Sequence, residues 1–141
     1  MTCNTAKTSK TAILYAWVAL GSVLGGLARY LISLLVLPAP GFPLATLFVN
    51  VTGSFIIGFY SALTGPDGRW FASAQQRQFV MTGFCGGYTT FSSFSLETVR
   101  LLRAGLTQTA LLNTGVSVVT WLLAVWLGYV AASWLNRLKG E

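Results

Sequence analysis

A polar stretch inside an apolar segment holds the residue types best suited to binding an ion. It reads Gly83-Phe84-Cys85-Gly86-Gly87-Tyr88-Thr89-Thr90-Phe91-Ser92-Ser93-Phe94-Ser95. Serine and threonine hydroxyls can donate hydrogen bonds to an anion, and the edges of phenylalanine rings carry partial positive charge. Glycine, serine and threonine also lower helix propensity here. The stretch therefore predicts a broken helix, because unwound backbone at membrane depth is tolerated only inside protein or along a water-filled path, where freed carbonyl groups suit a cation.

The aromatic and hydroxyl residues of this stretch could act together on an anion. Phe91 and Phe94 are three residues apart, which places both rings on one helical face if the helix has resumed by then. Phenylalanine in a membrane span ordinarily only packs. The nearby hydroxyl groups favour an anion path instead, and they belong to Thr89, Thr90, Ser92, Ser93 and Ser95. Asn113 and Ser117, four residues apart in the next apolar segment, could extend this polar line.

Two further polar residues lie inside other apolar segments. The side-chain amide of Asn50 offers two donors that lipid cannot satisfy, so it faces protein or a wet cavity and either bonds to another helix or binds a ligand directly. Arg29 lies near the end of the first apolar segment, at a depth where a charge costs about 2.5 to 3.5 kcal/mol. Its long side chain either reaches the membrane surface or supplies a positive field that gathers anions.

Four apolar segments must position these groups, and each has about 20 residues or more, enough to cross a bilayer. We predict them at about 11–37, 43–64, 76–102 and 106–135 of a single domain, residues 1–141. Proline and glycine end the first segment at Pro38-Ala39-Pro40-Gly41 and the second at Thr64-Gly65-Pro66-Asp67-Gly68. The predicted fold class is an all-α membrane protein with four transmembrane helices per subunit, the third of them broken near its centre.

Composition excludes several classes of function. The chain is 54% apolar and 9% charged, against about 25% charged in a soluble domain. It has no histidine, and its acidic residues are only Asp67, Glu97 and Glu141. An acid/base pair, a carboxylate metal cage and a catalytic triad are therefore missing, and we expect no enzyme. The net charge of +6 comes from lysines and arginines scattered at segment ends, so we expect contact with lipid headgroups rather than nucleic acid.

The flanking charges and the number of spans bear on orientation and assembly. Four spans leave both termini on one side of the membrane. That side carries Lys7, Lys10, Arg69, Arg77, Arg137 and Lys139, and the other side carries Arg100 and Arg103. The positive-inside rule alone thus places both termini in the cytoplasm. Four helices are too few to enclose a wide aqueous channel, so we expect pores at the seam of a homodimer.

The stretch from Gly83 to Glu97 has the pattern Gly-x-x-Gly-Gly-x-Thr-Thr-Phe-Ser-x-Phe-Ser-x-Glu. This pattern closely resembles the signature of the Fluc (CrcB) family of fluoride channels. Gly25-x-x-x-Arg29-Tyr30 and Val49-Asn50-x-x-Gly53 fit the first and second spans of that family. Chain length and the four-span layout agree as well, so the resemblance covers essentially the whole chain.

The resemblance implies a passive, highly selective channel that exports fluoride across the cell inner membrane and protects the cell from its toxicity. It further implies a homodimer of antiparallel subunits, inserted in both orientations, with two narrow pores and a central structural Na⁺. In this family pattern Phe91 and Phe94 line the pore and Arg29 lies in the vestibule. The donors to fluoride would be Asn50, Thr90, Ser93, Ser95, Asn113 and Ser117, with Glu97 near one pore end, and the backbone carbonyls of Gly86 and Thr89 would hold sodium.

Two alternative functions remain beside this interpretation, and the flanking charges conflict with insertion in both orientations. A small multidrug exporter is also a four-span dimer, but its membrane-embedded carboxylate in the first span is missing here. A structural subunit of a larger membrane complex would leave Asn50 and the polar stretch without purpose. Insertion in both orientations expects balanced flanking charges, whereas the count here favours one orientation.

Overall fold

The computed structural model describes residues 2–36, 41–66 and 68–138, with side chains from residue 11 onward in those ranges. This part of the chain is all-helical. Its helices are α1 (Thr2–Leu35), α2 (Leu44–Leu63), α3 (Ala74–Arg77), the π-helix π1 (Gln78–Cys85), α4 (Gly86–Tyr88), α5 (Phe91–Arg103) and α6 (Thr107–Arg137). The predicted end of the first span at residue 37, the loop prolines Pro38 and Pro40, and the loop residue Asp67 lie outside the described residues.

Three helices are long and apolar enough to cross a bilayer. They are Thr11–Leu35 within α1, Leu44–Leu63 and Thr107–Arg137. The shortest has 20 residues, which at 1.5 Å per residue gives about 30 Å, the thickness of the hydrocarbon core. The predicted third span is divided among several helices. Four successive helices occupy it, namely α3, π1, α4 and α5.

Two residues with extended backbone separate α4 from α5. Thr89 has φ −78° and ψ 157°, and Thr90 has φ −150° and ψ 114°. The Thr90 hydroxyl accepts a hydrogen bond from the backbone N–H of Ser93 at 3.1 Å, so Thr90 is the N-cap of α5. At the other end of this segment, Ser73 and Gln76 form a capping box that begins α3. The chain thus starts two helices with hydroxyl caps, one at each end of the segment that contains π1.

Glycines allow α1 to lie directly against π1 and α4. A methyl group on Gly25 would overlap the carbonyl oxygen of Phe84, and one on Gly87 would overlap the carbonyl oxygen of Ser22. Gly21 and Gly83 are equally tight, since each faces the backbone of the opposing helix. Lipid provides no hydrophobic force between helices, so such close backbone approach is what holds them together.

The second helix pair, α2 and α6, uses the same device. A Cβ on Gly58 would overlap the carbonyl oxygen of Val125, and one on Gly128 would overlap that of Phe55. Near the end of α6, the Asn136 amide donates to the carbonyl oxygen of Ala62 at 2.9 Å and accepts from the backbone N–H of Arg69 at 2.9 Å. The loop after α2 is therefore tied to α6, and the two pairs together position the Thr89-Thr90 interruption.

Candidate functional site

Asn50 on α2 holds the interruption through both ends of its side-chain amide. Its Nδ2 donates to the carbonyl oxygen of Thr90 at 3.0 Å, and its Oδ1 accepts from the backbone N–H of Thr90 at 2.7 Å. Asn50 and Thr90 are both buried. Extended backbone has no helical partners, and an unpaired buried peptide group costs about 1–3 kcal/mol. The amide therefore stabilises a conformation that the helix itself cannot satisfy.

Small residues let α2 approach this point. A Cβ on Gly53 would overlap the methyl group of Thr89, so glycine there admits the chain where α4 ends. The residues directly before Gly53 and Thr89 also meet, since the hydroxyls of Thr52 and Tyr88 lie 2.9 Å apart. The Thr89 hydroxyl donates back to the carbonyl oxygen of Cys85 at 2.8 Å. The interruption is thus fixed from α2 and from α4 at once.

A group of hydroxyls surrounds the start of α5. The Thr90 hydroxyl donates to the Ser93 hydroxyl at 3.0 Å and lies 3.2 Å from that of Ser92. Hydroxyl hydrogens rotate freely about the C–O bond, so each group can turn to donate to an anion or accept from a neighbour. This cluster brings together several of the donors predicted from the sequence.

The two predicted pore phenylalanines lie next to each other but differ in exposure. Phe91 is 72% exposed and Phe94 is 7% exposed. Their ring centroids are 5.6 Å apart with the planes tilted by 46°. Phe94 also packs edge-to-face against Trp121 of α6, with centroids 5.0 Å apart. Phe94 is therefore held from both sides, whereas Phe91 presents its ring to the surface of this subunit.

Two cavities meet at Thr90. A central cavity of about 300 Å³ is lined by Asn50, Gly53, Ser54, Ile57, Met81, Cys85, Gly86, Thr89, Thr90, Phe91 and Trp121. An outer cavity of about 350 Å³ is lined by Gly26, Arg29, Tyr30, Ser33, Ala45, Thr46, Val49, Thr90, Ser93 and Glu97. Thr90 belongs to both walls and therefore lies between the two spaces.

The outer cavity carries one charge of each sign. Glu97 accepts a hydrogen bond from the Thr46 hydroxyl at its Oε1, 2.8 Å away. Its Oε2 is buried and has no hydrogen-bond partner within the described ranges. Arg29 is half-buried on the wall of the same cavity. The cavity therefore combines the guanidinium group of Arg29, which attracts anions, with the carboxylate of Glu97, which has one oxygen hydrogen-bonded to Thr46.

Asn113 and Ser117 lie away from both cavities. Asn113 donates from its Nδ2 to the Thr98 hydroxyl at 3.0 Å, and the Thr98 hydroxyl donates to the carbonyl oxygen of Phe94 at 2.8 Å. The Ser117 hydroxyl is 3.5 Å from Oδ1 of Asn113. Both residues are 1% exposed. Asn113 thus joins α6 to α5, and Ser117 lies one turn further along α6.

The structure brings together most of the site residues predicted from the sequence. The central cavity collects Asn50, Gly86, Thr89, Thr90 and Phe91, and the outer cavity collects Arg29, Ser93 and Glu97. Ser95 is half-buried and lines neither cavity, and Phe94 lies behind Phe91.

Among the cavity-lining residues that sequence reasoning missed are Thr46 and Trp121. Nothing in sequence spacing pairs Thr46 with Glu97, since they are on different helices. Trp121 had a usable signal, because it follows Asn113 and Ser117 at the same four-residue spacing.

Comparison with known proteins finds a matching family model and several similar proteins. The family model described as "CrcB-like protein, Camphor Resistance (CrcB)" matches residues 16–129. The chain is 66% identical over 131 residues to "Fluoride-specific ion channel FluC 1" of Rhodopseudomonas palustris, covering 92% of this chain and 93% of the relative. It is 61% identical over 136 residues to the protein of the same name from Bradyrhizobium diazoefficiens, covering 96% of each. A "Fluoride-specific ion channel FluC" of Opitutus terrae is 54% identical over 130 residues, 91% of this chain and 98% of the relative.

Proposed function

The chain belongs to the CrcB-like protein family, and on that premise we propose that it is a passive, fluoride-selective ion channel. It is an ion channel and not an enzyme, and it is a multi-pass protein of the inner membrane. Its role would be to release fluoride from the cell and so protect the cell from fluoride toxicity.

The observation that carries this proposal is the position of Thr90 between the two cavities. Asn50 fixes the backbone of Thr90 by two hydrogen bonds, which leaves the Thr90 hydroxyl and those of Ser92 and Ser93 as adjustable donors. An anion drawn in by Arg29 would pass this cluster and then meet Phe91 in the central cavity. The main role of Asn50 would thus be to position the donors. Ser95, Asn113 and Ser117 would lie further from the ion.

The chemistry of the donors suits fluoride. Fluoride is small and strongly hydrated, so a closely spaced row of short donors is needed to replace its water, and larger anions fit such a row poorly. Hydroxyl groups 3.0 and 3.2 Å apart form such a row at the start of α5. The ring edges of Phe91 and Phe94 add partial positive charge through C–H groups, which are not acidic.

A homodimer would complete the central cavity. Phe91 forms part of that cavity's wall and is still 72% exposed in one subunit, so a second copy is the natural cover for its outer face. We propose antiparallel subunits inserted in both orientations, with two pores at their seam, as the family resemblance implies. The interruption at Thr89 and Thr90 would then lie near the centre of the assembly.

The same region offers a place for a structural Na⁺. Extended backbone at Thr89 turns peptide groups out of the helical hydrogen-bond pattern, and carbonyl oxygens of such unwound segments coordinate sodium in membrane proteins. Gly86 has open space where a side chain would begin, so its backbone is reachable. The carbonyls of Gly86 and Thr89 from two subunits would hold the ion. Its positive charge would bind the two extended segments to each other.

Fluoride release from liposomes tests this function. Purified protein in liposomes loaded with potassium fluoride should release fluoride when valinomycin carries potassium out, and liposomes loaded with potassium chloride should retain the halide. A fluoride electrode and a chloride electrode follow the two ions. Equal chloride release would contradict selectivity, and no release of either ion would contradict the channel itself.

A multidrug exporter is not favoured. Such a transporter needs a carboxylate in its first span, and α1 contains neither aspartate nor glutamate. The sole acidic residue within the described helices, Glu97, lies in α5 and is bonded to Thr46.

A further inference from the structure

Trp121 holds an indole N–H that lacks a conventional acceptor. Its Nε1 is buried and has no hydrogen-bond partner among the residues that the structure describes. The indole N–H can only donate, and burying a donor without an acceptor destabilises a protein. An ion in the central cavity cannot reach this atom, because the atom has almost no accessible surface. An acceptor for it must therefore already touch the indole ring inside the subunit.

Phe94 is the aromatic neighbour against which this indole packs. The two ring centroids are 5.0 Å apart, and an angle of 76° between the planes makes the rings nearly perpendicular. Two arrangements have this geometry, since either the edge of the indole lies over the face of Phe94 or the edge of Phe94 lies over the face of the indole. The face of a phenyl ring carries partial negative charge and can accept a weak hydrogen bond from an N–H group. Only the first arrangement can give the buried N–H an acceptor.

The surroundings of Phe94 keep its ring beside the indole. Phe94 is 7% exposed, and its ring also contacts that of Phe91, with centroids 5.6 Å apart. Trp121 and Phe91 both line the central cavity. The three rings therefore form one aromatic cluster, in which Phe94 lies between a residue of α6 and a residue of the proposed anion route.

We infer that Trp121 is a positioning residue whose indole N–H donates to the π face of Phe94, an inference that rests on the proposed channel function. With one face engaged by the indole, Phe94 has its edge, rather than its face, left for an anion. The donor also draws electron density from the ring, which increases the partial positive charge at that edge. Trp121 thus acts through Phe94 and does not touch the ion itself.

The proton resonance of the indole N–H tests the contact directly. A proton above the face of a phenyl ring is shielded by the ring current, so the Trp121 signal of the ¹⁵N-labelled wild-type protein should lie upfield of the other indole signals. In Phe94→Leu, which fills the site without a π face, the signal should return to the range of the others. The chain has five tryptophans, and single phenylalanine variants identify the other four signals, those of Trp17, Trp70, Trp126 and Trp134.

Fluoride flux tests whether the contact serves the route. Replacing Trp121 with benzothienylalanine keeps the two-ring shape and puts sulfur in place of the N–H group. Without the donor, we expect fluoride release from liposomes to slow about threefold to fivefold, the effect of one weak hydrogen bond. Trp126 replaced in the same way is the matched control, because it lies on the same helix, is 58% exposed and does not line the central cavity. Its flux should equal that of the wild type.

The outcomes separate this inference from the function on which it rests. If the wild-type protein releases no fluoride, the proposed channel fails. If it releases fluoride but its Trp121 signal lies within the range of the other four, the inference alone is overturned. A shielded signal combined with wild-type flux in the benzothienylalanine protein also overturns it, since the two rings would then only pack. The resonance is read from the wild type, so a variant that misfolds leaves this test intact.

Discussion

Asn50 bonds to both backbone polar groups of Thr90, so its loss should disturb stability and flux together. Asn50→Ala would leave the N–H and the C=O of Thr90 unpaired in a buried site. We expect a loss of about 2 kcal/mol or more in the free energy of unfolding. Fluoride release per amount of folded protein should fall at least tenfold, because Thr90 would no longer be held between the cavities.

Asn136→Ala is the matched control for that variant. Asn136 also bonds to the main chain of another segment with both ends of its amide, but it lies at the end of α6, away from both cavities. Thermal unfolding should show that Asn136→Ala is destabilised, while its flux per amount of folded protein matches the wild type. Equal flux in Asn50→Ala and Asn136→Ala would mean that Asn50 is only structural.

The different exposure of the two phenylalanines predicts different consequences of removing them. Phe94→Ala empties a buried site and should cost about 3–5 kcal/mol of stability, besides lowering flux. Phe91 is exposed within the subunit, so Phe91→Ala should lower fluoride flux with a smaller effect on folding of each subunit. Size-exclusion chromatography and thermal unfolding, measured beside liposome efflux, separate these effects. Normal flux in both variants would show that the rings only pack.

The sequence indicated candidate site residues wherever a polar side chain lies in an apolar segment. Asn50 stands out in an apolar segment, and so do the hydroxyls near Thr90. The pairing of Asn50 with the backbone of Thr90 was not predictable, because a residue separation of 40 carries no spacing signal.

The glycines at which α1 packs against π1 and α4 should respond to replacement by alanine differently from a neighbouring glycine outside the contact. Gly25→Ala would push a methyl group into the carbonyl oxygen of Phe84, and we expect a loss of about 1–3 kcal/mol, typical of overpacking. Gly26→Ala has open space around it and should be neutral or slightly stabilising, since alanine favours helix. Thermal unfolding of the two variants in detergent measures this difference, and equal melting temperatures would contradict the packing argument.

The sequence predicted where a helix begins and ends more accurately than whether it is an α-helix or a π-helix. Proline and glycine before and after α2 predicted a span at 43–64, and the helix runs over Leu44–Leu63. The cap that begins α3 at Ser73 lies a few residues before the predicted start of the third span. The π-helix was not predicted, because its i→i+5 hydrogen bonds leave no distinct periodicity in a stretch as short as Gln78–Cys85.

At the scale of the whole molecule, exposed apolar side chains cover the described surface of the subunit. They include Leu24, Leu31, Val119, Leu122 and Trp126. In water a surface of this kind would drive aggregation, whereas in a bilayer lipid covers it, together with the second subunit if the proposed homodimer forms. The sequence predicted this membrane character from composition alone, but composition carries no information about which part of the surface faces a partner.

Cysteine labelling tests the proposed insertion in both orientations. In a Cys3→Ser background, Phe71→Cys and Ala104→Cys place thiols in exposed loops at opposite ends of the bundle, and the native Cys85 is buried. A membrane-impermeant maleimide added to intact cells should label about half the chains of each variant. Complete labelling of Ala104→Cys with none of Phe71→Cys would instead support the single orientation that the flanking charges favour.

The π-helix makes the length of the segment before Thr90 as important as its residues. Deleting one residue from Gln78–Cys85 would displace Thr89 and Thr90 relative to α2 unless the π-helix tightened to an α-helix, in which one residue contributes about 1.5 Å of rise. Asn50 would then meet the wrong peptide group, although every side chain that binds the ion would still be encoded. Insertions and deletions in this stretch should therefore be purged during evolution even where substitutions are tolerated.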